Sequence, residues 1–258
     1  MENTPLIITF LGTGTSTGVP VIACECPVCK SPDPRDKRLR ASLHIKSGDT
    51  SVVIDCGPDF RMQMIQSGVT EIDAILLTHE HRDHIGGLDD VRAYNYILNK
   101  AIDIYCTQRV YSAIQNEFAY IFSNTRFFGA PQLLFHIIKD RTFNINGIVF
   151  QPIESVHGQI PVTGFRINNF AYLTDVSRID SKELLKLEGV KVLVINALRN
   201  SRHTSHLSLS EAVDIIEKLK CKQGYITHIS HFLGTTELVE LKLPKHIKLA
   251  FDGLKIIV

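Results

Sequence analysis

"THEHRDHIGGL", residues 78–88, places three histidines and two acids within six positions and closes on two glycines near its end. The residues leading into it, "DAILL" (73–77), are almost wholly apolar, and a short apolar run of this kind reads as a buried strand. The motif therefore sits where a strand ends. His79 and His81 are two apart, so on extended chain they point to the same side. Asp83 and His84 follow where the chain turns, and Gly86-Gly87 permits a tight turn into the next helix. Neutral imidazoles and a carboxylate suit divalent zinc, manganese or iron. Four donors in six residues exceed what one tetrahedral site uses, which points to two adjacent metals.

Working outward, runs rich in β-branched residues predict strands over 6–12, 51–57, 73–79, 102–106, 170–175, 191–198 and 223–229. Helix-like stretches lie between them at 86–99, 107–123, 181–188 and 208–220. The last carries the clearest helix signal. Ser208 and Glu211 form a capping-box pattern, and Ala212, Ile215, Ile216 and Leu219 supply an apolar face. Several strands run into polar groups: "AILLT" into His79, "FAYLT" into Asp175, "KVLVI" into Asn196 and "GYIT" into His228. Strands flanked by helices in an α/β protein bring their ends to one edge, where sites form. These four predict one shared pocket. The pattern occurs once in each half of the chain, which points to two similar α/β halves facing each other.

The chain has 258 residues with no long Pro/Gly/Ser linker, consistent with a single domain over 1–258. Its net charge of +1, without long runs of one sign, gives no indication of duplex nucleic acid as a partner. The N-terminal stretch lacks a basic region followed by a long apolar one, and no segment approaches the roughly 18 apolar residues that span a membrane. A cytoplasmic protein without a membrane partner is expected. Of six cysteines, Cys56, Cys106 and Cys221 lie in apolar runs and read as small core residues. Cys24, Cys26 and Cys29 are clustered, and clustered thiols in a reducing compartment suggest a metal.

The H-x-H-x-D-H motif resembles that of the metallo-β-lactamase superfamily, and the resemblance extends over nearly the whole chain. "FLGTGTSTGVP" (10–20) and "VVIDCG" (52–57) are similar to its early strands, and "SVHGQIPVTGFRI" (155–167), "AYLTD" (171–175) and "THISH" (227–231) to its later ligand positions. The resemblance implies an α/β fold, a four-layer αβ/βα sandwich with metals at one edge. It implies that His79, His81 and His157 hold one metal, that Asp83, His84 and His228 hold a second, and that Asp175 bridges the two. Asp55 is expected to brace the ligand loops from behind.

The C-x-C-x-x-C loop at 24–29 supplies three thiolates, whereas a closed structural zinc site takes four ligands. His231, three residues after His228, is the best candidate for the fourth. Such a loop after the first strand, with H-x-x-H near the end, resembles the branch that contains phosphoribosyl 1,2-cyclic phosphate phosphodiesterase. "LRNSRHTSHLSLSEA" (198–212) resembles that branch too, which implies a catalytic role for His206 beside the substrate phosphate, with His203 near it. The implied activity is metal-dependent hydrolysis of a small cyclic phosphodiester, 5-phosphoribosyl 1,2-cyclic phosphate first among them.

Two divalent ions (manganese or zinc, with iron a third option) would share a water, lower its pKa and present it to phosphorus. Asp83 would orient that water and His206 would bind a phosphoryl oxygen or protonate the leaving one. Arg199, Arg202 and Arg82 are candidate partners for a further phosphate. The aromatic segment 116–135 reads equally as lid, interface or core. A homodimer is expected from the resemblance. RNA-processing endonucleases and cyclic-nucleotide phosphodiesterases share the metal motif, but no extended Gly/Pro-rich basic arm is present to grip RNA. A di-iron redox protein of this fold typically has Glu where this chain has His81. A purely metal-binding module is the remaining alternative.

Overall fold

Val52 and Ile54 point to one side of their strand and Val53 to the other, and all three are fully buried. A strand buried on both faces needs a layer on each side, and that requirement recurs along the chain. The computed structural model describes residues 5–123 and 129–258. Its first half forms β1 (Ile7–Gly12), β2 (Ser42–Ser47), β3 (Thr50–Ile54), β4 (Ala74–Leu76), β5 (Ile102–Cys106) and β6 (Leu133–Ile137). With them run the helices α1 (Phe60–Ser67), α2 (Arg82–Ile85), α3 (Arg92–Leu98) and α4 (Gln108–Glu117). The second half forms β7 (Phe143–Ile145), β8 (Ile148–His157), β9 (Ile160–Ile167), β10 (Phe170–Leu173), β11 (Val192–Asn196), β12 (Gln223–Thr227), β13 (Ile247–Leu249) and β14 (Lys255–Ile257). Its helices are α5 (Ser181–Leu185), α6 (Leu209–Lys218) and α7 (Thr236–Glu240).

The strands make two sheets of mirrored order, β14-β1-β2-β3-β4-β5-β6 and β13-β12-β11-β10-β9-β8-β7. In each, an antiparallel half passes into a parallel one, at β3–β4 in the first sheet and at β10–β11 in the second. One core lies between the sheets, with Phe10, Leu43, Ile54 and Leu76 from one and Phe150, Phe165, Phe170 and Tyr172 from the other. A second core packs Val53 and Ile75 against the helices of the first half, and a third packs Leu193 and Ile195 against those of the second. The result is the four-layer αβ/βα sandwich of the metallo-β-lactamase fold.

The seven predicted strands all form, within a few residues of their expected ends. The β8–β9 hairpin escapes sequence reading because Pro152 and Pro161 interrupt it, and a proline within a run argues against a strand. Here Pro152 pairs with Phe165 and Pro161 with Val156. The helix expected over 86–99 is broken into a 3₁₀ turn at Leu88–Val91 and α3, and that over 107–123 into α4 and a turn at Ala119–Phe122. α6 starts as read, with both halves of the Ser208–Glu211 capping box present. In the aromatic segment 116–135, Phe118 and Ile121 are buried and Phe122 packs with Tyr111 and Phe135 as core. Residues 124–128 of that segment lie outside the described residues.

A candidate dinuclear metal centre

The pocket edge forms where strands stop. β3 ends just before Asp55, β4 just before the loop to His79, β8 at His157, β10 before Asp175 and β12 before His228. Asp55, Asp175 and His228 all have positive φ, at 64°, 58° and 54°. Left-handed backbone is uncommon outside glycine and costs energy, and such positions cluster at functional sites. Here it turns the chain where Asp175 and His228 join the donor cluster and where Asp55 meets His84 Nδ1 from behind. Two glycines allow the loops to close over one another. A Cβ on Gly57 would lie 2.0 Å from the Asp83 carbonyl oxygen, and one on Gly87 would lie 2.1 Å from that of Gly57.

The structure brings the seven expected ligands together. Ligand atoms of His79, His81 and His157 lie within 4.8 Å of one another, as do those of Asp83, His84 and His228 and those of His79, His84 and Asp175. Asp175 stands between the groups, its oxygens 3.1 Å from His84 Nε2, 3.1 Å from His228 Nε2 and 4.0 Å from His157 Nε2. These contacts are short, yet His79 Nε2, His84 Nε2 and both His228 ring nitrogens are buried without a hydrogen-bond partner. Buried polar atoms are rarely orphaned. Side chains that crowd one point without bonding each other are arranged as a cation would arrange them, and imidazole with carboxylate suits divalent metals.

The outer ring nitrogens are fixed from behind. His84 Nδ1 bonds Asp55 Oδ2 at 2.6 Å, His79 Nδ1 bonds Thr78 Oγ1 at 3.0 Å, and His157 Nδ1 donates to the Ser205 carbonyl at 2.7 Å. Asp55 is fully buried and also accepts from the Thr78 N–H and hydroxyl. Burial pushes its carboxyl upward, against the pull of His84. Burial acts likewise on Asp175, but the His228 and His84 imidazoles outweigh it and hold this carboxyl well below the usual range. Burial drives His79 well down, so its imidazole is neutral and its Nε2 lone pair is available. Thr78 and the Ser205 carbonyl were missed at the sequence level: a backbone carbonyl leaves no residue-type signal, and Thr78 lay inside the motif without a metal donor's chemistry.

His206 lies beside this cluster, Nδ1 3.8 Å from Asp175 Oδ1 and unpartnered, its ring 4.6 Å from that of His157. Burial, with the neighbouring His228, pushes it down to about 3. His203 is half-buried, 5.3 Å ring to ring from His206. Arg199 spends its guanidinium on its own loop, donating to the carbonyls of Ser201 and Arg202. Arg202 is exposed and 3.5 Å from Glu211, and Arg82 pairs with Glu117. Asn196, expected at the pocket edge, instead brackets the Asp175 turn by bonding both backbone groups of Val176.

The thiol loop meets its fourth partner. Cys24, Cys26 and Cys29 Sγ lie 3.3, 3.4 and 3.5 Å from His231 Nδ1. Tetrahedral zinc with usual bond lengths sets such S···N edges at about 3.6 Å. The Cys29 N–H and the neighbouring thiols bring Cys26 down to about 6, while burial pushes Cys29 up to about 11, so without a cation the cluster holds its charge on the outer thiol. Behind the clip, Asp36 accepts from Ser31 and from the Thr236 N–H and hydroxyl, and buried Arg38 donates to Thr13, Thr236 and the Ala250 carbonyl.

Residues 50–229 match the family model of the Beta-lactamase superfamily domain. The chain belongs to this superfamily, as a metallo-β-lactamase-fold protein. A crystallised "new diphosphatase from the PhnP family" is 40% identical with a TM-score of 0.92, covering 98% of this chain and 97% of that one, which places the chain in the PhnP-like branch. An octanoyltransferase of Porphyromonas gingivalis is 38% identical over 253 residues, covering 96% of this chain but 51% of that protein. The chain thus spans about half the length of that relative, and a quarter of a similar Ribonuclease Z from Methanopyrus kandleri, 33% identical over 85 residues, or 32% of this chain. The short form of human tRNase Z shares the fold at a TM-score of 0.70 and 17% identity, over 97% of this chain and 98% of that one.

Proposed function

We propose that this protein is a dinuclear-metal hydrolase of phosphoesters, acting on a small cyclic phosphodiester with 5-phosphoribosyl 1,2-cyclic phosphate as the leading candidate. The observation that carries the reading is His206: an unpartnered imidazole held against Asp175 at the rim of a seven-donor cluster. His79, His81 and His157 would hold one divalent ion and Asp83, His84 and His228 the other, with Asp175 shared. When bound, the ions supply a water of lowered pKa and neutralise charge on the phosphoryl group. Asp83 accepts a hydrogen bond from the attacking water and orients it. The water oxygen bonds to phosphorus, one ester bond breaks, and the proton that the water gives up ends on the departing sugar oxygen. His206 donates to a phosphoryl oxygen or to that departing oxygen. Cys24, Cys26, Cys29 and His231 would hold a structural zinc that ties the thiol loop to the segment carrying His228.

A second reading, hydrolysis of a diphosphate bond, is favoured by the diphosphatase relative, which matches the chain along nearly its whole length. The same residues would serve it, with a phosphate as leaving group. Steady-state kinetics on 5-phosphoribosyl 1,2-cyclic phosphate, a 2′,3′-cyclic nucleotide and a dinucleoside diphosphate separates the readings. The first reading predicts the highest kcat/KM on the sugar cyclic phosphate. The second predicts it on the diphosphate, and turnover of none contradicts both.

A further inference from the structure

Phe232 is 68% exposed and Ile22 is 95% exposed. Both belong to the thiol clip. Phe232 follows His231, whose ring centre lies 4.0 Å from its own, and Ile22 precedes Cys24 by two residues. Single exposed apolar side chains are common, so exposure alone says little. The frame beneath Phe232 says more. Ser230 N–H and Oγ both donate to the Leu198 carbonyl, at 3.1 and 2.6 Å. Asn200 Nδ2 donates to the Leu233 carbonyl at 2.8 Å, and the Phe232 N–H donates to Ser230 Oγ at 3.3 Å. The residue is therefore held between the thiol clip and the loop that carries His203 and His206. It lies four positions after His228, so the two backbones stand at most about 14 Å apart.

We propose that Phe232, with Ile22 on the other arm of the clip, forms a fixed shelf at the rim of the donor cluster that takes a nucleobase of the substrate. The proposal rests on the phosphoester reading above and narrows it: a base-binding shelf favours nucleoside-bearing phosphodiesters and diphosphates over the base-free sugar cyclic phosphate as the substrate class. A phosphoryl group seated on the cluster leaves the rest of the substrate to run out over the rim. An aromatic face already fixed in place stacks a planar ring with little loss of side-chain freedom. Two side chains fall far short of the roughly 800 Å² per partner that a stable protein interface buries, so a ring suits the shelf better than a second protein.

The chain contains no tryptophan, so Phe232→Trp introduces a lone indole at the shelf. In metal-loaded protein its fluorescence is expected to be quenched saturably by adenosine 5′-diphosphate and not by ribose 5-phosphate. Kinetics on a matched pair gives the second readout: adenosine 2′,3′-cyclic phosphate and 1-O-methylribose 2,3-cyclic phosphate, which differ only in the base. Phe232→Ala should raise KM for the first by roughly ten-fold more than for the second, with kcat changed less than about two-fold and Phe232→Tyr restoring KM. Absence of quenching, or an equal rise in KM for both substrates, overturns the shelf. So does light scattering that shows Phe232→Ala dissociating a dimer, which would make this face an interface between copies. If wild type turns over neither substrate, nor 5-phosphoribosyl 1,2-cyclic phosphate, nor a dinucleoside diphosphate, the phosphoester reading fails while the quenching still decides the shelf.

Discussion

Asp55 points away from the centre of the donor cluster, yet three of its contacts decide how the cluster is oriented. It accepts from His84 Nδ1 at 2.6 Å and from the Thr78 N–H and hydroxyl at 2.9 Å, in a fully buried setting. Asp55→Ala strands those donors, and loss of such an outer partner weakens metal binding by about 10–100-fold. Competition with a chromophoric chelator measures it, with Asp55→Asn as the milder variant. His206 also stands within ligand distance of His157 and Asp175, and the proposed mechanism gives it a role in the chemistry and not in holding metal. His206→Ala should lower kcat by about 10²–10⁴-fold while metal content, read by elemental analysis, stays at the wild-type value. Of the candidate donors, His79, His81, Asp83 and His84 were legible as neighbours and Asp175 and His228 as polar ends of strongly apolar strands, whereas His157 and the assignment of ligands to each metal came from the family resemblance. The orienting contacts were not, since Ser205 acts through its carbonyl and Asn196 turned inward to Val176.

Among elements, the thiol clip is the one that chain order hides most. It ties residues 24–29 to His231 across about two hundred positions, and the Asp36–Thr236 and Arg38–Thr236 bonds lie behind it. Three clustered cysteines announce a metal, but only the ladder of β12 and the Gly14–Ile229 bridge bring His231 to them. Cys26→Ser should remove one equivalent of zinc. Untying a long loop costs about 3 kcal/mol by analogy with a disulfide, or roughly 6–12 °C in Tm for a chain of this size. Calorimetry beside zinc analysis checks both. The β8–β9 hairpin was illegible for another reason: Pro152 and Pro161 break the local strand signal, while burial against Phe150 and Phe165 in the shared core holds the pairing. α1 was missed because "FRMQMIQS" has no apolar stripe of helical period, with Phe60 and Met64 its buried apolar side chains.

At the scale of the whole molecule, two facing sheets create dry interiors, and dryness shapes the response to pH. His44, on β2, donates Nε2–H to Ser51, whose hydroxyl is spent on the Glu71 carbonyl. Burial, helped by Lys46 and Lys255, depresses it to about 4 from 6.5. Between these values the unfolded chain binds the proton and the folded one does not, so stability is full above pH 6.5 and falls by about 3 kcal/mol as pH drops to 4. Asp252, raised to about 6 by burial, works the other way, its protonated form favouring the fold as pH falls from about 6 toward 3.8. Urea titrations of wild type and His44→Asn should therefore show the variant gaining on wild type by about 3 kcal/mol between pH 6.5 and 4, since it lacks the acid-side loss that His44 imposes. The mirrored sheet order also places both halves of the donor set at one edge, which is why the centre needs the whole sandwich.

The measurement that bears most directly on the central claim is a phosphorus NMR time course in ¹⁸O-enriched water, with metal-loaded protein, chelated protein and His206→Ala side by side. A phosphodiesterase built on this cluster predicts that loaded wild type opens 5-phosphoribosyl 1,2-cyclic phosphate or cleaves the diphosphate. One ¹⁸O should then appear on the product phosphorus, with loss of turnover on chelation and a deep cut in His206→Ala. Equal turnover in all three samples, or no phosphorus chemistry in any, would contradict it.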